Sequence, residues 1–203
     1  MKKQIAHLGS ARIETLDINN AFDLILYQLP DGHYELVVFM KLQFFFENDH
    51  PHFWETHEED QFMQDWQIAI HEVWGNKTIH TLESGRDIKL VFDFQIQKGG
   101  WMYDHWEISV TKIASGEFRI SVTEPDWNNV HLDSEDLTYV GRQRGAIHEF
   151  GHMIGLPDEY HNSRHIVDHR SVMHSGEIIR DRHYDMFVDW VERSLAELKT
   201  ETS

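Results

Sequence analysis

The chain has 203 residues, 40% of them hydrophobic, with seven Trp and twelve Phe, which suits one domain with a substantial core and leaves too little for two full domains. Its formal net charge of −17 disfavours nucleic-acid phosphate and anionic membrane as partners, because both repel it. There is no Cys, so disulfide frameworks and thiolate ligands are excluded, and no run approaches the roughly 20 apolar residues needed to span a bilayer.

Met1, Lys2 and Lys3 carry the charge of a signal peptide, but residues 4–15 hold no apolar core of adequate length. No classical export signal is read, and a soluble chain, cytoplasmic as synthesised, is expected. Residues 22–29 and 34–46 are rich in aromatic and aliphatic side chains, with Pro30, Asp31 and Gly32 between them, and read as a β-hairpin. Its second arm alternates poorly and is expected to be covered on both faces. Residues 1–50 are taken as an N-terminal hairpin extension and residues 51–203 as the core of a single domain.

His50, His52 and His57 offer a metal patch, but such a tract is the more ordinary sign of a solvated loop. Thr56 and Glu59 have capping-box spacing, and Phe62, Trp66, Ala69, Ile70 and Val73 follow at helical intervals, so a helix is predicted to end near Gly75. Its His71 and Glu72 imitate a metal motif without the second ligand, and His71 is read as structural or exposed. Asn76-Lys77-Thr78 matches a glycosylation sequon that, without an export signal, is taken as chance.

Ile88, Leu90, Phe92, Phe94 and Ile96 alternate with Lys89, Asp93, Gln95 and Gln97, which predicts a strand with one core face. Residues 106–113 and 117–123, joined by Ala114, Ser115 and Gly116, read as a second hairpin with Trp106, Ile108 and Val110 against Phe118, Ile120 and Val122. That hairpin ends the sheet. Its edge either accepts a peptide as an added strand or is merely protected by Lys112 and Arg119. Residues 125–134 are expected to be loop.

A helix is predicted to start near residues 136–138, with Gly141 and Gly145 inside it. It carries His148-Glu149-Phe150-Gly151-His152, followed by Gly155 and Asp158. Positions four apart lie one above the other on a helix, so His148 and His152 can aim imidazole nitrogens at one ion. Zinc suits such ligands and keeps one position for water in catalytic sites, and Glu149 beside that face is placed to take the water's proton. Ile147, Phe150 and Ile154 form the apolar back. Gly155 and Pro157 stop the helix, and a chain turning back there brings Asp158 in as third ligand.

These residues resemble the metzincin zinc peptidases, whose H-E-x-x-H-x-x-G-x-x-H motif is matched at His148, Glu149, His152 and Gly155. Asp158 stands in the last position, as in the snapalysin type. Ser171-Val172-Met173-His174-Ser175-Gly176 resembles the family's Met-turn in its astacin form, except that Ser175 stands where astacins have a metal-facing Tyr, so that role is not carried over. The resemblance implies an α+β fold. It pictures a metzincin-like core with a twisted, mostly antiparallel or mixed sheet, an active-site helix, a Met-turn and a C-terminal helix. Asp in place of a third His lowers the charge of the site by one unit and favours activity at neutral or mildly alkaline pH.

Residues 161–170 read as loop. His165 and His169, four apart beside Asp168, make a second metal site only if that segment is helical, and it lacks an apolar face. Residues 180–199 are predicted to be a final helix with Phe187, Val191, Leu195 and Leu198 inward. His183 and Tyr184 near its start are candidates to steady an oxyanion, although packing is the commoner role of such a Tyr.

The expected function is a zinc-dependent endopeptidase with a protein or peptide substrate, Zn2+ held by His148, His152 and Asp158, and Glu149 as general base. The alternatives are a zinc-binding module without proteolysis, or a zinc hydrolase acting on another amide, such as a cell-wall peptide or an acyl group. The wording of residues 148–160 also resembles small metallopeptidase toxin domains delivered through contractile secretion systems. That likeness implies export by such a route and an inhibitor or delivery partner.

Overall fold

The strand of residues Tyr34–Asn48, β3, is the axis on which the other elements are laid. The computed structural model describes residues 1–81, 83, 85–101, 104–162 and 164–201. Strand β3 pairs antiparallel with β2 (Asp23–Gln28) over residues 34–39, and β2 pairs with β1 (Lys3–Leu8). On its other edge β3 runs parallel to β5 (Asp87–Lys98), which carries the short strand β4 (Lys77–His80). Beyond β2, residues 42–48 of β3 run parallel to β6 (Trp106–Lys112). Then come β8 (Asn129–Asp133), parallel to β6, and β7 (Val122–Glu124), antiparallel to β8 and last in the order. The hairpin of residues 23–48 is therefore built into the same mixed sheet as the later strands.

Helices α1 (Thr56–Val73), α2 (Gly145–Met153) and α3 (Asp185–Glu201) complete a mixed α+β architecture. Leu36, Val38, Met40, Leu42 and Phe44 of β3 are fully buried, as the two-residue period of a strand requires. Of the opposite side chains of β3, Val37 and Gln43 are buried, Glu35, Phe39, Lys41 and Phe45 half-covered and Glu47 exposed, so the expected cover on both faces is incomplete. Phe150 of α2 meets Trp66 of α1, Trp74, Phe92 and Phe94 at ring-centroid distances of 5.2–5.9 Å. Phe187 of α3 meets Phe92 at 6.2 Å. Such tilted aromatic pairs add about 0.5–1.5 kcal/mol each beyond area burial.

Several expectations are corrected. The predicted second hairpin does not form. Strand β6 pairs with β3 and β8 in parallel, and Val130 and Leu132 fill the place given to Phe118, Ile120 and Val122, which are 57%, 82% and 44% exposed. Residues 125–134 hold a 3-10 turn at Pro125–Trp127 and strand β8 instead of loop alone. Helix α1 is capped one residue earlier than expected, by Glu55 reciprocally with Glu58. Helix α2 starts at Gly145, because Gly141 at φ +69° breaks the preceding segment into turns. Among the described residues no helix is long and apolar enough to cross a membrane.

Candidate metal centre

Helix α2 is nine residues long, and its buried back (Ala146, Ile147, Phe150, Met153) sits on the aromatic cluster. Its end is set by Gly155 at φ +91°. The Gly155 N–H donates to His152 O at 2.9 Å and the Leu156 N–H to Gly151 O at 3.0 Å, the paired bonds of a Schellman cap. The cap is braced from the far end of the chain, where Ile13 fills the space a Cβ on Gly155 would need and Thr15 Oγ1 donates to Gly155 O at 2.8 Å. It also aims the Leu156 carbonyl back at the helix, where His152 Nδ1 donates to it at 2.7 Å.

His148 is oriented in the same manner. Its Nδ1 lies 2.8 Å from Val172 O, which also accepts from Gln143 Nε2 at 2.6 Å. Donation of both Nδ1 protons to carbonyls assigns the lone pairs to Nε2. The two Nε2 atoms then converge on one carboxylate oxygen, Asp158 Oδ1, at 3.1 Å from His148 and 3.3 Å from His152. The three ligand atoms lie within 4.8 Å of one another, the only such His/Cys/Asp/Glu group among the described residues. Three acceptors facing one point are balanced by a cation, a proton or a metal ion, and two imidazoles with one carboxylate are a donor set that zinc takes. The residues therefore fit the ion the motif implies.

Asp158 has its second oxygen occupied as well, since Tyr160 Oη donates to Oδ2 at 2.6 Å. Burial opposes its ionisation, but the Tyr160 hydroxyl, together with the imidazoles of His148 and His152 when they carry a proton on Nε2, outweighs burial and holds its carboxyl well below the usual range. Burial likewise disfavours the charged form of His152, and Asp158 with Glu149 reverses this to a net rise.

Glu149 is buried, only 5% exposed, and Thr123 Oγ1 on β7 donates to its Oε2 at 2.7 Å. With the ligands it lines a cleft of about 520 Å³, whose walls include Leu16, Ile120, Val122 and Pro157. Strand β7 is last in the strand order of the sheet, and its Val122 and Thr123 line this cleft. A larger groove of about 680 Å³ between α1 and residues 112–138 lies away from the ligands.

Met173 is fully buried under α2, and a Cβ on Gly151 would collide with its Sδ. The turn around it is held by buried Glu159, whose N–H donates to Met173 O at 2.8 Å. Arg182 grips the Glu159 carboxylate at 2.7 and 2.9 Å. Burial raises the Glu159 pKa, yet Arg182 and Ser171 prevail and bring it down to about 2. Asp168 is clamped by Arg180 at 2.9 and 2.6 Å and touched by Arg182 at 3.0 Å.

The structure thus brings together His148, His152, Asp158 and Glu149. It places His183 and Tyr184 elsewhere: His183 is buried against Glu159, and Tyr184 Oη donates to Trp74 O at 2.8 Å. Packing, the commoner role for such a Tyr, is what the structure gives them, because the 3-10 turn at Asp181–Tyr184 ahead of α3 buries both side chains. Among the described residues His165 and His169 join no ligand cluster; residues 164–167 are turns, and His169 meets His174 edge-on at 4.4 Å between ring centroids. The residues that sequence reasoning missed are Thr123, Gln143, Tyr160 and the Glu159–Arg182 pair. Only Tyr160 had a local signal, two positions after a ligand. Comparison with family models and with curated proteins gives no match.

Proposed function

We propose that the chain is a metzincin-like zinc endopeptidase. The observation that carries this reading is the convergence of His148 Nε2, His152 Nε2 and Asp158 Oδ1 beside a buried Glu149 in an open cleft. The methionine beneath the ligand helix, opposite Gly151, supports the likeness to that family.

In this reading His148, His152 and Asp158 hold zinc, which when bound supplies a Lewis acid and an acidified water. Glu149 takes the proton of the attacking water and returns it to the leaving amine. The Thr123 hydroxyl anchors one oxygen of that carboxylate, which leaves the other for the proton. Tyr160 fills Asp158 Oδ2, so Oδ1 alone faces the imidazoles and three protein atoms would hold the ion. The free edge of β7 supports extended binding of a peptide by ladder hydrogen bonds. Glu149 favours hydrolysis over a purely structural zinc site, which needs no carboxylate next to its ligands.

The test is digestion of an unstructured protein such as casein, with mass spectrometry of the products. New internal cleavage sites that vanish on chelation and return with zinc are expected. Casein left intact by zinc-loaded protein would refute an endopeptidase of broad reach.

A further inference from the structure

The cleft beside His148, His152, Asp158 and Glu149 is walled by apolar side chains from three separate parts of the chain: Leu16, Ile120 with Val122, and Pro157. Among the described residues no Lys or Arg lines it, and its two carboxylates, Glu149 and Asp158, already have parts in the peptidase reading. Single exposed apolar residues are ordinary on a protein surface. Several gathered in one concave site beside convergent polar groups mark a place where apolar groups bind.

Ile120 and Val122 are kept open by what their neighbours do. Ser121 Oγ donates to Asp136 Oδ1 at 2.6 Å, and Thr123 Oγ1 donates to Glu149 Oε2 at 2.7 Å. Successive side chains of an extended segment point to opposite sides, so Ile120 and Val122 project away from those bonds and stay 82% and 44% exposed. Leu16 comes from a tight turn. Ile13 and Ile18 exchange backbone hydrogen bonds at 2.8 and 3.0 Å and are both buried, and Asp17 at φ +53° closes the turn between them. Thr15, next to Leu16, ties the tip through its Oγ1 to the Gly155 carbonyl at the end of the ligand helix. The segment that braces the helix cap thus also carries Leu16, half-buried, to the cleft wall.

We infer that Leu16 is a specificity-determining residue of this cleft. Together with Ile120 and Val122 it receives an apolar side chain, branched aliphatic or aromatic, of a peptide substrate close to the bond that is cut. Such a side chain leaves water for these walls, whereas an acidic one finds no Lys or Arg to pair with. This selection rests on the zinc-peptidase reading and goes beyond it, because it names the kind of side chain and the N-terminal turn that selects it.

The experiment is cleavage-site profiling of a mixed peptide library by mass spectrometry, with the zinc-loaded full chain as wild type, Leu16→Ser, Leu16→Met and Ile120→Ser. Wild type should cut next to apolar residues. Each Ser variant should lower about tenfold the ratio of kcat/KM for peptides with an apolar residue there to that for peptides with Ser there, mainly through KM. Leu16→Met should restore the preference that Leu16→Ser loses. Ile120 is 82% exposed, so its replacement does not put folding at risk. A profile indifferent to apolar residues, or the same profile in wild type and both Ser variants, would overturn the inference. Wild type that cuts no peptide would refute the peptidase reading instead, and binding then decides. In methyl NMR of the metal-free wild type, acetyl-Gly-Leu-Phe-Gly-amide should shift the Leu16, Ile120 and Val122 signals more than its counterpart with Glu in place of Leu and Phe. Equal or absent shifts would overturn the inference.

Discussion

Asp136 should make this protein less stable as pH rises through neutrality. Its carboxylate lies against the start of α2, where a Cβ on Gly145 would strike it. Burial pushes its pKa up to about 7 from 3.8, with hydrogen bonds from Ser121 Oγ and the Asp133 N–H only partly offsetting this, and the charges of Asp133 and Glu149 adding to it. A carboxyl raised on folding binds more protons in the native than in the unfolded state between those two values. Its stabilisation is therefore full below the unfolded value and lost as pH rises through the folded one. Integrated from pH 5 to pH 8, the loss is about 2–3 kcal/mol.

Asp136→Asn keeps both hydrogen bonds, with the amide donating to Ser121 Oγ, and cannot titrate. Urea denaturation of metal-free protein at pH 5, 6, 7 and 8 measures the difference. Wild type should lose about 2–3 kcal/mol more than Asp136→Asn across that range, a midpoint shift of roughly 1 M urea. Parallel pH dependences in the two proteins would refute the reasoning.

Below that window the sign reverses for Glu159, whose pKa is held at about 2 against an ordinary 4.5. Its contribution is present above the ordinary value and fades as pH falls toward 2, so Arg182→Met should flatten the acid limb of the stability profile. The same variant leaves a buried carboxylate without its partner and should cost about 3–5 kcal/mol at pH 7 by urea denaturation. Gly155→Ala, strained at φ +91° and overpacked against Ile13, should lose about 2–4 kcal/mol and weaken zinc in a chelator competition, because it disturbs the carbonyl that orients His152. Tyr184→Phe orphans the Trp74 carbonyl and should cost about 1–3 kcal/mol. Its cleavage rate per folded molecule should match wild type, as its hydroxyl is outside the cleft.

The parts of this architecture legible from the sequence are those whose signal is local. Helix α1, strand β5 and helix α3 were readable because Phe62, Trp66 and Ile70, the even residues 88–92, and Phe187, Val191 and Leu195 repeat at the period of their own element and are buried. The pairing of His148 with His152 is likewise local, as four residues make about one helical turn, and Gly155 marks the stop that returns Asp158. Pairing partners are not local. The alternation of Phe118, Ile120 and Val122 is that of a buried strand, yet β8 takes the edge of β6 and leaves them exposed. Val37, Phe39 and Phe45, apolar at outward positions, hid the simple alternation of β3. Thr123 on Glu149, Gln143 and Val172 around His148, and Arg182 on Glu159 are contacts across 5 to 29 residues, which no periodicity encodes.

Zinc content and proteolysis, measured together on wild type and Glu149→Gln, test the central reading most directly. Both proteins should carry one zinc, because Glu149 is not a ligand, and only wild type should cleave unstructured protein, with the variant slower by a factor of about 10² or more. Wild type that holds no zinc after metal-replete purification would contradict the metal centre. Equal cleavage by the two proteins would contradict the role given to Glu149.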